Sequence, residues 1–90
     1  MTRPPDVLPA GMPVHSQVLY GRHLRYALLE ILGSASRPLS VRELAARVNH
    51  LGFGIPGRPG KAVSDALRWE RARGRVVRVA RDRYVAGVIP

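Results

Sequence analysis

The stretch that decides the fold runs from Gly60 to Tyr84 and reads GKAVSDALRWERARGRVVRVARDRY. Apolar residues recur in its first half at the spacing of one helical face: Val63, Ala66 and Leu67. This period predicts a helix over residues 61–73, with those three residues buried. Glu70 takes the next position on the same face and is its one polar member, so it is the misfit of the pattern.

After this helix the period changes from 3.6 to 2. Gly74 is expected to end the helix, because glycine takes a left-handed conformation without a Cβ penalty. The alternation that follows puts Val77 and Val79 on one side of a strand and Arg78 on the other. A tight turn near Arg81 and Asp82 then returns the chain, which predicts a basic β-hairpin over residues 75–86.

The charge of the chain is high and uneven. The formal net charge is +9 over 90 residues, with a pI near 11.6. Residues 58–83 hold nine Lys or Arg against three acidic residues, so two thirds of the net charge lies there. A concentrated basic surface is typical of proteins that bind nucleic acid.

Other classes of function find little support in the composition. The chain has no cysteine, which excludes disulfides and thiolate zinc sites and fits an intracellular location. His15, His23 and His50 are too scattered for a metal site, and Ser64 has no evident base partner. We therefore expect no enzyme activity, cofactor, metal or small-molecule ligand. With no apolar span or signal peptide, we expect a cytoplasmic, nucleoid-associated location.

The N-terminal half of the chain is expected to form the structural support for the third helix and the hairpin. Residues 1–15 are rich in proline and predict an extended, mobile arm, so the domain is expected over residues 16–90. Ser16 is the expected cap of a first helix that runs to about Leu32 and ends at Gly33. A start nearer Arg22 is the alternative, because Gly21 weakens the first turn. The expected buried stripe of this helix is Tyr20, Leu24, Ala27, Leu28 and Ile31. Three apolar residues lie off that stripe and either pack against the arm or form a homodimer patch: Leu19, Tyr26 and Leu29.

A second helix is expected from Val41 to about Leu51. Ser40 and Glu43 form a capping box at its start, in which each side chain bonds the backbone amide of the other residue. Its expected inward residues are Val41, Leu44, Ala45, Val48 and Leu51. The glycine-rich loop over residues 52–60 is interpreted as a stiff spacer that Phe53 and Ile55 attach to the core. Its central Gly57-Arg58-Pro59 matches an AT-hook only in part, since the usual flanking arginine is absent.

Two segments resemble winged helix-turn-helix domains. Residues 38–45, PLSVRELA, resemble the entry to the second helix of many bacterial regulators. Residues 63–68 with the strand at 77–79 resemble their recognition helix and first wing strand. The long loop and residues 83–87 are also similar to the HARE subgroup and to linker-histone globular domains. The resemblance implies an α+β winged helix-turn-helix, with a three-helix core followed by a short C-terminal β-hairpin wing.

The same resemblance implies a DNA-binding protein, either a transcriptional regulator or a nucleoid-associated factor. The third helix would enter the major groove of double-stranded DNA and the hairpin would lie on the phosphate backbone. The residues expected at the DNA are Arg58, Lys61, Ser64, Arg68, Arg71, Arg78, Arg81 and Arg83. Because the hairpin turn lacks glycine, phosphate contact is favoured over insertion of the wing into a groove.

The alternative function is a winged-helix adaptor that binds another protein without reading DNA. Such an adaptor is expected to expose an apolar face and to show little clustered charge. Trp69 keeps this alternative open. Our expectation for Trp69 is a structural role, with its ring covering the base of the hairpin.

Overall fold

Three helices and a hairpin surround one apolar core in the computed structural model, which describes residues 17–87. The helices are α1 (Gly21–Ser34), α2 (Val41–His50) and α3 (Pro59–Ala72). The strands are β1 (Gln17–Val18), β2 (Phe53–Gly54), β3 (Val76–Ala80) and β4 (Arg83–Ala86). This is a small α+β domain, as predicted. The predicted arm over residues 1–15, and Ser16 after it, lie outside the described residues.

The core forms where the apolar faces of the helices meet. Its buried members are Leu24, Leu28, Ile31, Leu32, Leu39, Leu44, Val48, Val63, Ala66, Leu67 and Val76. The predicted face of α3 is confirmed, since Val63, Ala66 and Leu67 are all buried. Helix α3 packs against both α1 and α2, so it lies at the centre of the fold.

Helix α1 begins at Gly21, with Tyr20 as its N-cap, which is close to the alternative start near Arg22 and differs from a start capped by Ser16. The physical reason is that Gln17 and Val18 pair with β2, which holds them in an extended conformation. Gly21, at φ 43°, turns the chain from strand into helix, and Tyr20 is 64% exposed instead of buried. At the other end the helix continues through Gly33 to Ser34.

The capping box at the start of α2 is confirmed. The Glu43 amide donates to Ser40 Oγ at 3.0 Å, and the Ser40 amide donates to Glu43 Oε1 at 2.9 Å. Leu44 and Val48 are fully buried, as predicted. Leu51 is the exception, because it is the C-cap residue beyond the helix and is 58% exposed.

The loop after α2 is more ordered than a spacer. Phe53 and Gly54 form β2, which pairs in parallel with β1 in a register of Gln17 with Phe53. The predicted attachment is confirmed, since Phe53 and Ile55 both pack partly buried against the core. This pairing fixes the start of α1 beside the loop that leads into α3. Helix α3 begins at Pro59, two residues earlier than predicted, because proline is well suited to a first helical turn.

The predicted hairpin is present and is hydrogen-bonded to the segment at the start of α2 at two places, Leu39 and Val41. Strands β3 and β4 pair antiparallel, with Val76 opposite Ala86. Leu39 and Tyr84 exchange two backbone hydrogen bonds of 3.0 and 2.9 Å. At the turn, Asp82 adopts φ 53° and its Oδ1 accepts a 2.9 Å bond from the Val41 amide at the start of α2. The hairpin is therefore held against the helices along its length.

The base of the hairpin needs glycine at one position. The Gly87 amide donates to the Arg75 carbonyl at 2.8 Å. A Cβ at Gly87 would lie 2.2 Å from the Gly74 carbonyl oxygen, so a larger residue would push the two segments apart. Gly74 itself has φ 76° and ends α3, as predicted. None of the helices within residues 17–87 is long and apolar enough to cross a membrane.

Candidate nucleic-acid interface

One exposed side of α3 carries four of the eight predicted DNA-binding residues. Lys61, Ser64, Arg68 and Arg71 are three or four residues apart, so they follow one another along a single helical face. Lys61, Arg68 and Arg71 are exposed and Ser64 is half-buried. This face lies beside the buried one, and it presents long cationic side chains to solvent.

Asp65 is the acidic member of that exposed surface. Its carboxylate lies 3.0 Å from Lys61 Nζ and 3.8 Å from an Arg68 nitrogen. The first turn of α3 holds no acidic residue, so Lys61 faces the positive end of the helix dipole and Asp65 is its nearest compensation. Two of the predicted DNA contacts are thus paired with one solvent-exposed carboxylate.

A shallow groove joins α3 to β3. It has a volume of about 550 Å³ and is lined by Arg68, Arg71, Ala72, Gly74, Val76, Val77 and Arg78. Tertiary structure thereby brings two arginines of the helix and one of the hairpin to the same groove. Its other lining residues are small or apolar, so these three arginines lie beside uncharged surface.

Three more of the predicted arginines do not line this groove. Arg58 is the N-cap residue of α3 but makes no side-chain capping bond. Arg81 and Arg83 lie at the hairpin turn, where Arg83 donates to the Asp82 carbonyl at 2.7 Å. Within residues 17–87, five of the seven cationic residues among the predicted contacts make no ion pair with an acidic side chain: Arg58, Arg71, Arg78, Arg81 and Arg83.

Glu70 is not a misfit, and the sequence pattern alone missed its role. It is 1% exposed and lies between Arg25 of α1 and Arg75 at the base of the hairpin. Arg75 Nε donates to Glu70 Oε1, and this bond is the main reason the pKa of Arg75 is raised. Glu70 Oε2 is 2.9 Å from Arg25 Nε at ion-pair distance, although the pair lacks hydrogen-bond geometry. Arg75 therefore supports the fold instead of belonging to the exposed basic surface.

Trp69 does not cover the base of the hairpin, and that prediction is wrong. Its ring lies under the guanidinium groups of Arg25 and Arg73, which are 4.6 and 3.7 Å from the ring centroid. Arg25 belongs to α1, so the ring lies on the α1 side of α3. The side chain is 45% exposed and borders a groove between these two helices.

Within the described part of the chain, no cluster of three or more His, Cys, Asp or Glu side chains could hold a metal ion. The chain matches no protein-family model, no curated protein and no solved structure.

Proposed function

We propose that the protein is a winged helix-turn-helix DNA-binding protein, acting as a transcriptional regulator or as a nucleoid-associated factor. The observation that carries this proposal is the continuous basic surface that runs along α3 and across the groove onto β3. Lys61, Arg68, Arg71 and Arg78 lie along it, and Asp65 is its single acidic residue within residues 17–87. The polyanionic backbone of double-stranded DNA is the natural partner of such a surface.

Helix α3 is the element suited to the major groove. That groove is about 12 Å wide and admits an α-helix. The exposed side of α3 carries Ser64 and Arg68, whose side chains suit hydrogen bonds to base edges. Arg68 in particular matches the two acceptors that guanine presents in the major groove. Lys61, in the first turn, is placed for a phosphate, because the free amides and the helix dipole also favour an anion there.

The hairpin is better suited to the backbone than to a groove. Its turn is short and is fastened to the α2 amide by Asp82, which limits how far it can reach. Arg78, Arg81 and Arg83 are exposed on it and are proposed to contact phosphates that flank the site of α3. In the groove between α3 and β3, arginines would meet phosphates while Val77 and Gly74 pack against deoxyribose carbons.

Salt dependence of binding to short duplex DNA tests the proposal. If roughly five phosphates are neutralised, the logarithm of the affinity falls against the logarithm of salt with a slope of about −4 to −5. Lys61→Ala and Arg81→Ala are each expected to weaken binding to all sequences and to reduce the slope by about one unit. Arg47→Ala is the matched control, since this exposed arginine borders a groove between α1 and α2. Binding that is indifferent to salt would contradict the proposal.

Arg68→Ala distinguishes sequence-specific DNA binding from sequence-independent electrostatic binding. A fork of Arg68 onto guanine is expected to contribute about 1–3 kcal/mol on a preferred site and much less on random DNA. A site selected from random duplexes provides the first substrate and a scrambled duplex the second. An equal loss on both would identify a sequence-independent architectural protein.

The adaptor is the second candidate, and one observation favours it. Val77 and Val79 on the hairpin are 44% and 52% exposed, which offers apolar area to a protein partner. Val79 does not line the groove between α3 and β3, so Val79→Asp tests this surface apart from the proposed DNA contact at Val77. If DNA does not bind and Val79→Asp abolishes capture of a specific protein, the adaptor is the better description.

A further inference from the structure

The outward face of α1 is a surface that the proposed DNA interface does not use. Tyr26 is at its centre and is 56% exposed. Two shallow grooves meet at this tyrosine, one of about 560 Å³ toward Leu29 and Gly33 and one of about 470 Å³ toward Val18 and Phe53. The buried residues of α1 point the opposite way, toward α2 and α3.

The charges around Tyr26 are arranged symmetrically. Arg22 lies four residues before it and Glu30 four residues after it, so both share its face one helical turn away. Both are exposed, and neither makes an ion pair with any residue in the 17–87 part of the chain. Arg22 is also a cation in the first turn of α1, where the dipole disfavours it and where no acidic residue compensates.

We propose that this face binds a second copy of the chain, with the two α1 helices antiparallel about a two-fold axis at Tyr26. A two-fold interface uses the same surface on both copies, so residue 22 of one copy meets residue 30 of the other. Arg22 would then face Glu30 of the second copy, and the same pair occurs a second time by symmetry. Each unpaired charge gains a partner of opposite sign, and the helix dipoles run in opposite directions.

The inference goes beyond the proposed function and does not depend on it. Since α1 meets the second copy through its outward face, α3 and the hairpin remain free in both copies. The dimer would present two basic surfaces, and its assembly can be measured with no DNA present.

Sedimentation equilibrium of the full chain tests the dimer at physiological ionic strength. We expect a monomer–dimer equilibrium with a dissociation constant in the micromolar range, because the interface is small. Tyr26→Ala is expected to raise that constant at least about tenfold, through loss of the central apolar contact. A chain that stays monomeric at about 1 mM would overturn the proposal.

Charge reversal tests the antiparallel register itself. Arg22→Glu alone and Glu30→Arg alone each place like charges together and should each weaken the dimer at least about tenfold. The double variant R22E/E30R has the wild-type net charge and restores both pairs, so it should return to within about threefold of the wild-type constant. Arg42→Glu is the control for net charge and should leave dimerisation unchanged, because this exposed residue of α2 lines none of the grooves beside Tyr26 or Glu30. Circular dichroism verifies folding of each variant, and a double variant as weak as the singles would overturn the register.

Discussion

Two carboxylates on α3 each lie between two basic side chains, but one is exposed to solvent and the other is buried. Asp65 lies between Lys61 and Arg68, and Glu70 lies between Arg25 and Arg75. The side chain of Asp65 is 49% exposed and that of Glu70 is 1% exposed. Asp65 has both partners on its own helix, whereas Glu70 joins α1 and the base of the hairpin to α3. Position on the helix, and not residue type, decides which carboxylate is structural.

The difference in energy follows from the access of water. Exposed ion pairs contribute about 0–1 kcal/mol, because solvent screens them and the side chains lose freedom. A buried carboxylate has lost its hydration and depends on its partners, so removing it disturbs every element that it joins. Asp65 is therefore available to tune binding, while Glu70 holds together the elements that carry the basic surface.

The largest effect is expected for Glu70→Ala. It removes the carboxylate that joins three elements and leaves Arg25 and Arg75 without their partner. We expect the free energy of unfolding to fall by about 3–5 kcal/mol, measured by urea denaturation at neutral pH. A loss below about 1 kcal/mol would mean that the carboxylate behaves like the exposed one.

Leu67→Ala removes an apolar side chain from the same buried face, and the resulting loss in free energy of unfolding can be compared with that of Glu70→Ala. Leu67 is 1% exposed and lies one turn before Glu70 on the same buried face. Truncation of a buried leucine is expected to lower the free energy of unfolding by about 2–5 kcal/mol. A melting temperature close to wild type would show that this face of α3 does not form the core.

Glu43 is an intermediate case, with a side chain that is 36% exposed. The hydrogen bond from Arg37, followed by that from the Ser40 amide, lowers the pKa of Glu43 from 4.5 to about 2. Because the folded pKa is the lower one, its stabilisation is complete above pH 4.5 and is lost as the pH falls toward 2. Glu43→Gln is therefore expected to be less stable than wild type at neutral pH and to converge with it near pH 2 in urea denaturation. A constant difference at all pH values would exclude this linkage.

The smallest effect on stability is expected for Asp65→Ala. Loss of two exposed ion pairs should change the free energy of unfolding by no more than about 1 kcal/mol. Affinity for any duplex DNA should instead rise roughly fivefold at low salt, because removing a carboxylate near phosphates relieves about 1 kcal/mol of repulsion. Fluorescence anisotropy with a labelled duplex measures this gain. A gain in affinity without loss of stability would show that Asp65 affects DNA binding and not the fold, in contrast to Glu70. Unchanged affinity would place Asp65 away from the DNA.

Periodicity carried most of the prediction of the fold. The buried face of α3, the capping box of Ser40 and Glu43, and the hairpin after Gly74 all depend on residues close in sequence, and all three were predicted. The errors share a different cause. The start of α1, the exposure of Tyr20 and the β1–β2 pair depend on contacts between residues 17–18 and 53–54, which are far apart in the chain.

By itself, the sequence determined the helices, the hairpin and the concentration of positive charge, because local spacing and composition are properties of neighbouring residues. Only the tertiary structure decided the role of each charge. It placed Arg25 beside Glu70 and paired Arg75 with the same carboxylate, so Arg75 is not part of the exposed basic surface. It also brought Arg78 to the same groove as Arg68 and Arg71. Burial and partnership depend on elements far apart in sequence, and they set whether a charged side chain supports the fold or remains free to bind.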